Sequence, residues 1–320
     1  YDTTFINSTI DRSAEAIKTA IANAQEVTHI GYGKAKVEKV ASNRRILGPD
    51  GNVAIIRWSK TSDSAAIAAP EGLIDPWLRS VSFWHYDDPL VNLNYYTTHP
   101  MSHYGKGDVS SDFVGIAREA QQQQLGFTQI YFSGAGGNIT AGKYNDGSPE
   151  RRYILADRVE KAMKQAWDAG TKIPVHASDL KWRSSTLTLP LGEHLIRTEL
   201  VKTLESTGAD SLQRFTAAKH LAWLNRTEAG HPVTISSLNI KNVWLLHLPG
   251  ELFVEYQLAA QKLRSDDFVC TAAYGEYGPG YVCTEIAYSQ GGYESSNRAS
   301  RVSPQVESVL MKSIKEVLQP

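Results

Sequence analysis

The stretch that decides the fold is Tyr95-Tyr96-Thr97-Thr98-His99-Pro100-Met101-Ser102. The apolar run from Val91 to Tyr96 predicts a strand, and Pro100 ends it because proline has no N–H for the hydrogen-bond ladder. His99 is therefore held at a strand end, where enzymes place metal ligands and general bases. For this stretch alone, the alternative is a histidine that caps a buried strand.

Around this stretch, the spacing of apolar residues predicts an α/β fold. Strands are predicted at 30–40, 53–58, 78–86, 91–96, 127–132, 176–189, 233–240, 243–248 and 268–273, and helices at 10–24, 110–125, 148–170, 195–206, 211–225, 252–263 and 306–317. We expect residues 1–320 to form one domain of mixed β-sheets flanked by helices, with the active-site groups gathered at strand ends.

The composition of the chain limits the kinds of partner that it can bind. The 33 Lys and Arg balance 34 Asp and Glu without a basic block, which argues against nucleic acid. No apolar run approaches the roughly 20 residues of a transmembrane helix. The first residues, from Tyr1, include no initiator methionine and do not look like a signal peptide, so any targeting segment is expected to lie upstream. Cys270 and Cys283 could form a disulfide or remain two buried thiols.

Several short stretches resemble the neutral (non-lysosomal) ceramidase family, which are zinc-dependent amidases. They occur in the family's order along nearly the whole chain, and collinear matches multiply in specificity. The stretches are Ser42–Arg45, Tyr96–Ser102 with 109–117, Leu248–Glu251, and Gly280–Thr284 with Gly292–Glu294. The resemblance implies a neutral-ceramidase-like catalytic domain, here without the C-terminal immunoglobulin-like domain common in the family.

The resemblance also assigns roles to residues. It makes His99, Glu251 and Tyr281 ligands of Zn²⁺, and it places Arg44 and Tyr293 where an oxyanion would be stabilised. Taken without the resemblance, Glu251 is a carboxylate at a helix start, where the dipole contributes about 0.5 to 1 kcal/mol. A further histidine ligand is expected in a His-x-His run upstream of Tyr1, in a separate chain of the same precursor or in a missing segment.

The residues expected to bind substrate lie on turns that follow strands. They are Asn43, His103, Gly136, Asn138 and Tyr277. His103 lies four residues after His99, but Pro100 argues against a helix between them, so His103 is expected to line the pocket. The family carries an essential serine in a Gly-Asp-Val-Ser-Pro-Asn turn, and alignment on Asn138 puts Gly136 at that place.

These features predict a zinc-dependent hydrolase that cleaves an amide (N-acyl) bond by metal-activated water. Its substrate would be a small molecule or a lipid that need not be ceramide, since Gly136 replaces the serine. Two alternatives are an inactive binding protein on the same fold, and an esterase or deacylase for a soluble glycan-type substrate. The resemblance implies a secreted or periplasmic protein.

Overall fold

The computed structural model describes residues 2–105 and 109–319. In this part of the chain the strands are β1 (His29–Lys36), β2 (Ser42–Asn43), β3 (Arg45–Leu47), β4 (Val53–Ile56), β5 (Trp77–His85), β6 (Asp88–Tyr96), β7 (Thr128–Ser133), β8 (Ile139–Thr140), β9 (Thr171–Pro174), β10 (Leu180–Leu187), β11 (Val233–Ile240), β12 (Val243–His247), β13 (Glu251–Leu252), β14 (Phe268–Ala272) and β15 (Tyr281–Val282). The α-helices there are α1 (Thr3–Ala22), α2 (Ser64–Ala68), α3 (Asp112–Leu125), α4 (Pro149–Asp168), α5 (Arg197–Glu205), α6 (Ser211–Glu228), α7 (Val254–Leu263), α8 (Glu285–Ser289) and α9 (Val306–Val317). The sequence also predicts a turn at Gly105-Lys106-Gly107, and the part of this turn after Gly105 lies outside the described residues.

Two mixed sheets form the centre of the fold. One has the strand order β7-β6-β5-β1-β9 and the other β10-β11-β12-β14. Successive side chains of a strand point to opposite faces. Both faces of each sheet carry apolar side chains, which other elements must cover. Ile30, Val81 and Tyr95 of the first sheet pack with Leu245 and Cys270 of the second. The sheets are therefore stacked face to face.

Helices cover the two outer faces. On the first sheet, Phe113 of α3 and Val159 of α4 share a core with Leu78 of β5. On the second, Leu310 of α9 packs with Leu246 of β12. The result is a helix–sheet–sheet–helix sandwich, which confirms the predicted α/β fold of mixed sheets flanked by helices.

Gly33 allows α4 to approach β1 closely. A Cβ at Gly33 would lie 2.2 Å from the carbonyl oxygen of Ala166, which is fully buried in α4. Backbone atoms cannot retreat as a flexible side chain can. The contact therefore requires glycine.

Replacing Gly33 with alanine is expected to lower the free energy of unfolding by about 1 to 3 kcal/mol, the usual cost of overpacking. A matched control is Gly208→Ala, where the nearest atom to the added Cβ is Ser206 Oγ at 3.8 Å. That exposed change should stay within about 0.5 kcal/mol. Urea unfolding of both variants measures the difference, and equal midpoints would contradict the close approach.

Most predicted elements are present, and two differ in their burial. The helix predicted at 10–24 begins earlier, at Thr3, because the Asp2 side chain accepts a hydrogen bond from the N–H of Phe5 at 3.0 Å. None of its residues is buried, so the described part of the chain does not cover its apolar face. The buried strand predicted at 53–58 is the shorter, only partly buried β4. The strand predicted at 176–189 starts at Leu180, after a short 3-10 helix.

Other predictions are confirmed in detail. Helix α4 has its predicted apolar face, with Leu155 and Met163 buried. The hairpin of β11 and β12 turns at Lys241, which has a φ of +55°. Cys270 and Cys283 are free and buried, which is the two-thiol alternative. Among the described residues, none of the helices is both long and apolar enough to span a bilayer.

Four strand ends meet at one edge of the sandwich. Strands β6 and β7 run parallel in the first sheet, and β12 and β14 run parallel in the second. The loops that follow them are joined by hydrogen bonds from Gly134 N to Tyr96 O and from Ala273 N to Ser133 O, both 2.9 Å. The segments after these strands therefore converge, whatever their separation in sequence.

Candidate active site

His99, Glu251 and Tyr281 converge at this edge. The Nε2 atom of His99 lies 3.0 Å from Glu251 Oε2 and 3.2 Å from the Tyr281 hydroxyl. All three side chains are buried. The tertiary structure thus brings together three residues that are up to 182 positions apart in the chain.

Strand pairing places the carboxylate beside the phenol. Glu251 and Tyr281 are register partners in the parallel pair of β13 and β15. In a parallel pair, side chains at partner positions lie on the same face. Gly250, which precedes Glu251, has a φ of +61°, a conformation that glycine adopts without the strain of a Cβ. The predicted Pro-Gly-Glu strand end is therefore a turn that delivers Glu251 to this pair.

The glycine-rich turn after β7 packs against both sides of the site. Gly137 N donates to Leu252 O at 2.7 Å, and a Cβ on Gly137 would lie 2.4 Å from the carbonyl oxygen of Glu251. On the other side, a Cβ on Gly136 would lie 3.3 Å from the carbonyl carbon of Thr98. The turn is wedged between the segments that carry His99 and Glu251.

The tautomer of His99 follows from its backbone partner. Its Nδ1 lies 2.8 Å from the carbonyl oxygen of Ile139, which also accepts the N–H of His99 at 3.1 Å. A carbonyl oxygen can only accept, so Nδ1 carries the proton. In the neutral ring, Nε2 then presents its lone pair to Glu251 and Tyr281.

Neighbouring groups set the charge states. Burial acts to raise the pKa of Glu251. The protonated form of His99, which donates a hydrogen bond from Nε2 and carries a positive charge, outweighs burial together with hydrogen bonds from Tyr277 and Tyr281, and holds that pKa below its usual range. Burial raises the pKa of Tyr281, and so does the charge of Glu251, although Arg44 opposes them. At neutral pH the site therefore contains a carboxylate and a protonated phenol.

The donor set fits a divalent cation. An imidazole nitrogen with a lone pair and a carboxylate oxygen 3.0 Å apart repel unless a proton or a cation lies between them. Nitrogen and oxygen donors of this kind bind zinc. Within residues 2–105 and 109–319, however, no group of three or more His, Cys, Asp and Glu side chains could hold a metal ion.

A buried ion triad holds Arg44 beside Tyr281. Glu294, which is fully buried, lies 2.9 Å from Arg44 Nε and 3.0 Å from Arg45 Nη1. Arg44 Nη1 donates to the Tyr281 hydroxyl at 3.3 Å. Sequence reasoning missed Glu294 and Arg45 as supporting residues, although the Gly292–Glu294 stretch was available as a signal.

A cleft of about 420 Å³ opens beside Tyr281 and Arg44. The rings of Trp58 and Tyr293 meet edge to face at 5.5 Å, and the Arg44 guanidinium lies 5.2 Å and 5.6 Å from their centroids. Lys60 adds a second cation to the wall. Of the residues that sequence reasoning proposed, Arg44, Tyr281 and Tyr293 line this cleft, whereas Trp58 and Lys60 were missed.

The two asparagines that were predicted to bind substrate make hydrogen bonds that hold loops together. Asn43 donates to Leu73 O at 3.1 Å and accepts from Arg45 N at 3.0 Å. Asn138 accepts from Val254 N and donates to Glu255 Oε2, both at 2.9 Å. Each amide thus has partners in the protein on both its oxygen and its nitrogen.

The other predicted substrate-binding residues divide between the site and its surroundings. Tyr277 is 54% exposed, and its hydroxyl donates to Glu251 Oε1, so it lies over the carboxylate. Gly136 lies in the turn against Thr98. The structure does not place His103 in the cleft wall, although its neighbours Met101 and Tyr104 contribute to it.

Gln257 is a supporting residue that no sequence signal indicated. Its Oε1 accepts from Thr97 Oγ1 at 2.9 Å and from Ala135 N at 3.0 Å, and its Nε2 donates to Asp75 at 2.7 Å. It thereby connects the end of β6 with the glycine-rich turn. An ordinary glutamine on a helix carries no pattern that would single it out.

Comparisons with known proteins identify a fold. No family model and no curated protein sequence matches the chain. Solved structures that resemble it include neutral ceramidase from Pseudomonas aeruginosa, with a TM-score of 0.62 and 17% identity over 91% of this chain and 51% of that chain. Another is a ceramidase complexed with C2, with a TM-score of 0.62 and 16% identity over 91% of this chain and 53% of that chain. The chain thus spans about half the length of these ceramidases. At such low identity the likeness concerns architecture, and the conclusion is that the chain has a neutral-ceramidase-like fold.

Proposed function

We propose that this chain is a metal-dependent hydrolase of amide (N-acyl) bonds. The observation that supports it best is that the Glu251 carboxylate and the Tyr281 hydroxyl converge on the Nε2 atom of His99, at 3.0 and 3.2 Å. The neutral-ceramidase-like fold supports the class of reaction.

In this proposal His99 Nε2, the Glu251 carboxylate and the Tyr281 phenol would hold Zn²⁺. When bound, zinc would polarise the acyl carbonyl and lower the pKa of a water to about 7. The hydrogen bond from Nδ1 to Ile139 O would keep the His99 ring oriented.

Arg44 and Tyr293 would stabilise the oxygen that becomes negative during hydrolysis. Arg44 is held by Glu294, so its cation needs little reorganisation when charge develops. Tyr293 stands against Tyr281 with ring centroids 5.7 Å apart and lines the cleft. Its hydroxyl would be the second donor.

The cleft favours a short acyl group on a polar compound. At about 420 Å³ it lies in the lower part of the usual range for small-molecule pockets, about 300 to 1,000 Å³. A long acyl chain gains about 0.8 kcal/mol per buried CH₂ only where apolar surface continues. Here Arg44 and Lys60 interrupt the aromatic wall, which suits a sugar or amino-acid derivative.

The proposed route has no covalent intermediate, because Gly136 provides no hydroxyl for attack. Single-turnover kinetics should show product release without an acyl-enzyme burst. A trapped covalent adduct on any serine of the chain would contradict this route.

The decisive experiment measures zinc content and hydrolysis together on the full-length protein. We expect about one zinc per molecule by elemental analysis. We also expect faster cleavage of N-acetylated amino sugars or amino acids than of a long-chain ceramide. A protein that takes up no zinc and cleaves neither class would instead be a binding protein on the same fold.

A further inference from the structure

Tyr274 carries a hydroxyl that is buried and has no hydrogen-bond partner among the described residues. The residue follows β14 with a φ of +67°, a left-handed conformation that is rare for residues with a Cβ. Its N–H donates to Gly250 O at 3.1 Å, next to Glu251. Strained residues of this kind persist only where the surroundings hold them, and they cluster at functional sites.

The hydroxyl ends at the glycine-rich turn, between the two segments that carry His99 and Glu251. A Cβ at Gly136 would lie 3.4 Å from the Tyr274 hydroxyl and 3.3 Å from the carbonyl carbon of Thr98. One position further, Gly137 contacts the backbone of Glu251. Because Gly136 has no side chain, the Tyr274 hydroxyl can approach the backbone of this part of the turn.

We propose that the acyl group of the substrate extends from the cleft to the glycine-rich turn, and that Tyr274 is a further catalytic residue whose hydroxyl donates a hydrogen bond to the acyl oxygen there. This rests on the hydrolase function proposed above. An unpaired buried donor gains a partner when a ligand oxygen arrives. A donor already in place where negative charge develops stabilises the transition state more than the bound substrate, so it acts on kcat.

The test is Tyr274→Phe, which keeps the ring and removes the hydroxyl. We expect kcat to fall about 10²-fold with KM within about threefold of wild type. The urea midpoint should not fall, because the hydroxyl has no partner to lose. Tyr256→Phe is the matched control: that hydroxyl donates to Cys283 O at 2.9 Å, so its loss should lower the midpoint and leave kcat unchanged.

The outcomes separate this inference from the function it rests on. If the wild type cleaves an acyl substrate and Tyr274→Phe has the same kcat, the role of Tyr274 is wrong and the hydrolase proposal stands. If the wild type cleaves no acyl substrate, the hydrolase proposal fails. Calorimetry then measures whether acetohydroxamate binds the wild type more tightly than Tyr274→Phe, which tests whether Tyr274 contacts an acyl oxygen. Binding at least about tenfold weaker in Tyr274→Phe would support contact with an acyl oxygen. Equal affinity, or no binding to either protein, would overturn the proposed role of Tyr274.

Discussion

Glu251→Ala is expected to remove bound zinc and to lower turnover by at least about 10³-fold, since a metal Lewis acid supplies several kcal/mol of transition-state stabilisation. Glu251 is the carboxylate of the site, and its Oε2 lies 3.0 Å from His99 Nε2. The alanine variant would leave one imidazole and one phenol on this chain, too few donors for a stable zinc site. Elemental analysis and steady-state kinetics measure both effects.

Glu276→Ala is the matched control for Glu251→Ala. The backbone oxygen of Glu276 accepts a hydrogen bond from Gly250 N at 2.9 Å, next to Glu251, but its carboxylate pairs with Arg226 on α6. Its replacement should leave zinc content and kcat unchanged. Retention of zinc by Glu251→Ala would contradict the proposed set of ligands.

Glu294→Leu is expected to lower the free energy of unfolding by about 3 to 5 kcal/mol, because it leaves two guanidinium groups without their buried counter-charge. Glu294 is fully buried between Arg44 and Arg45, at 2.9 and 3.0 Å. The same change should lower activity, since Arg44 loses the contact that holds it beside Tyr281. Urea unfolding with an unchanged m-value measures the stability effect.

Two comparisons make this result specific. Glu15 pairs with Lys18 on the surface, with side chains 71% and 74% exposed, so Glu15→Gln should change stability by less than about 0.5 kcal/mol. Adding Arg45→Met to Glu294→Leu removes one uncompensated charge and should recover part of the loss. If Glu294→Leu were as mild as Glu15→Gln, the triad would contribute nothing to stability.

The sequence determined elements whose signals are local. Helix α4 was predictable because Ser148-Pro149 begins it and its apolar residues recur at helical spacing. The hairpin of β11 and β12 was predictable from two apolar runs separated by Lys241-Asn242. These patterns depend on contacts within a few residues, so they can be recognised without knowledge of the fold.

Burial was less predictable than secondary structure. The apolar spacing in α1 is that of a packed helix, yet none of its residues is buried. Strand β4 is apolar throughout but pairs with the short β3 and stays partly exposed. Periodicity shows that an element has an apolar face, whereas only the arrangement of the other elements decides whether that face is covered.

For the site, the sequence by itself determined which residue types stand at strand ends, and the resemblance proposed His99, Glu251 and Tyr281 among them. Only the tertiary structure decided their distances, because Glu251 and Tyr281 become neighbours through pairing of β13 with β15. For the same reason, the residues that support the site could not be recognised from local sequence patterns. Arg45 and Glu294 are 249 positions apart, and a charged residue in a sequence carries no mark of the distant charge that will compensate it when both are buried.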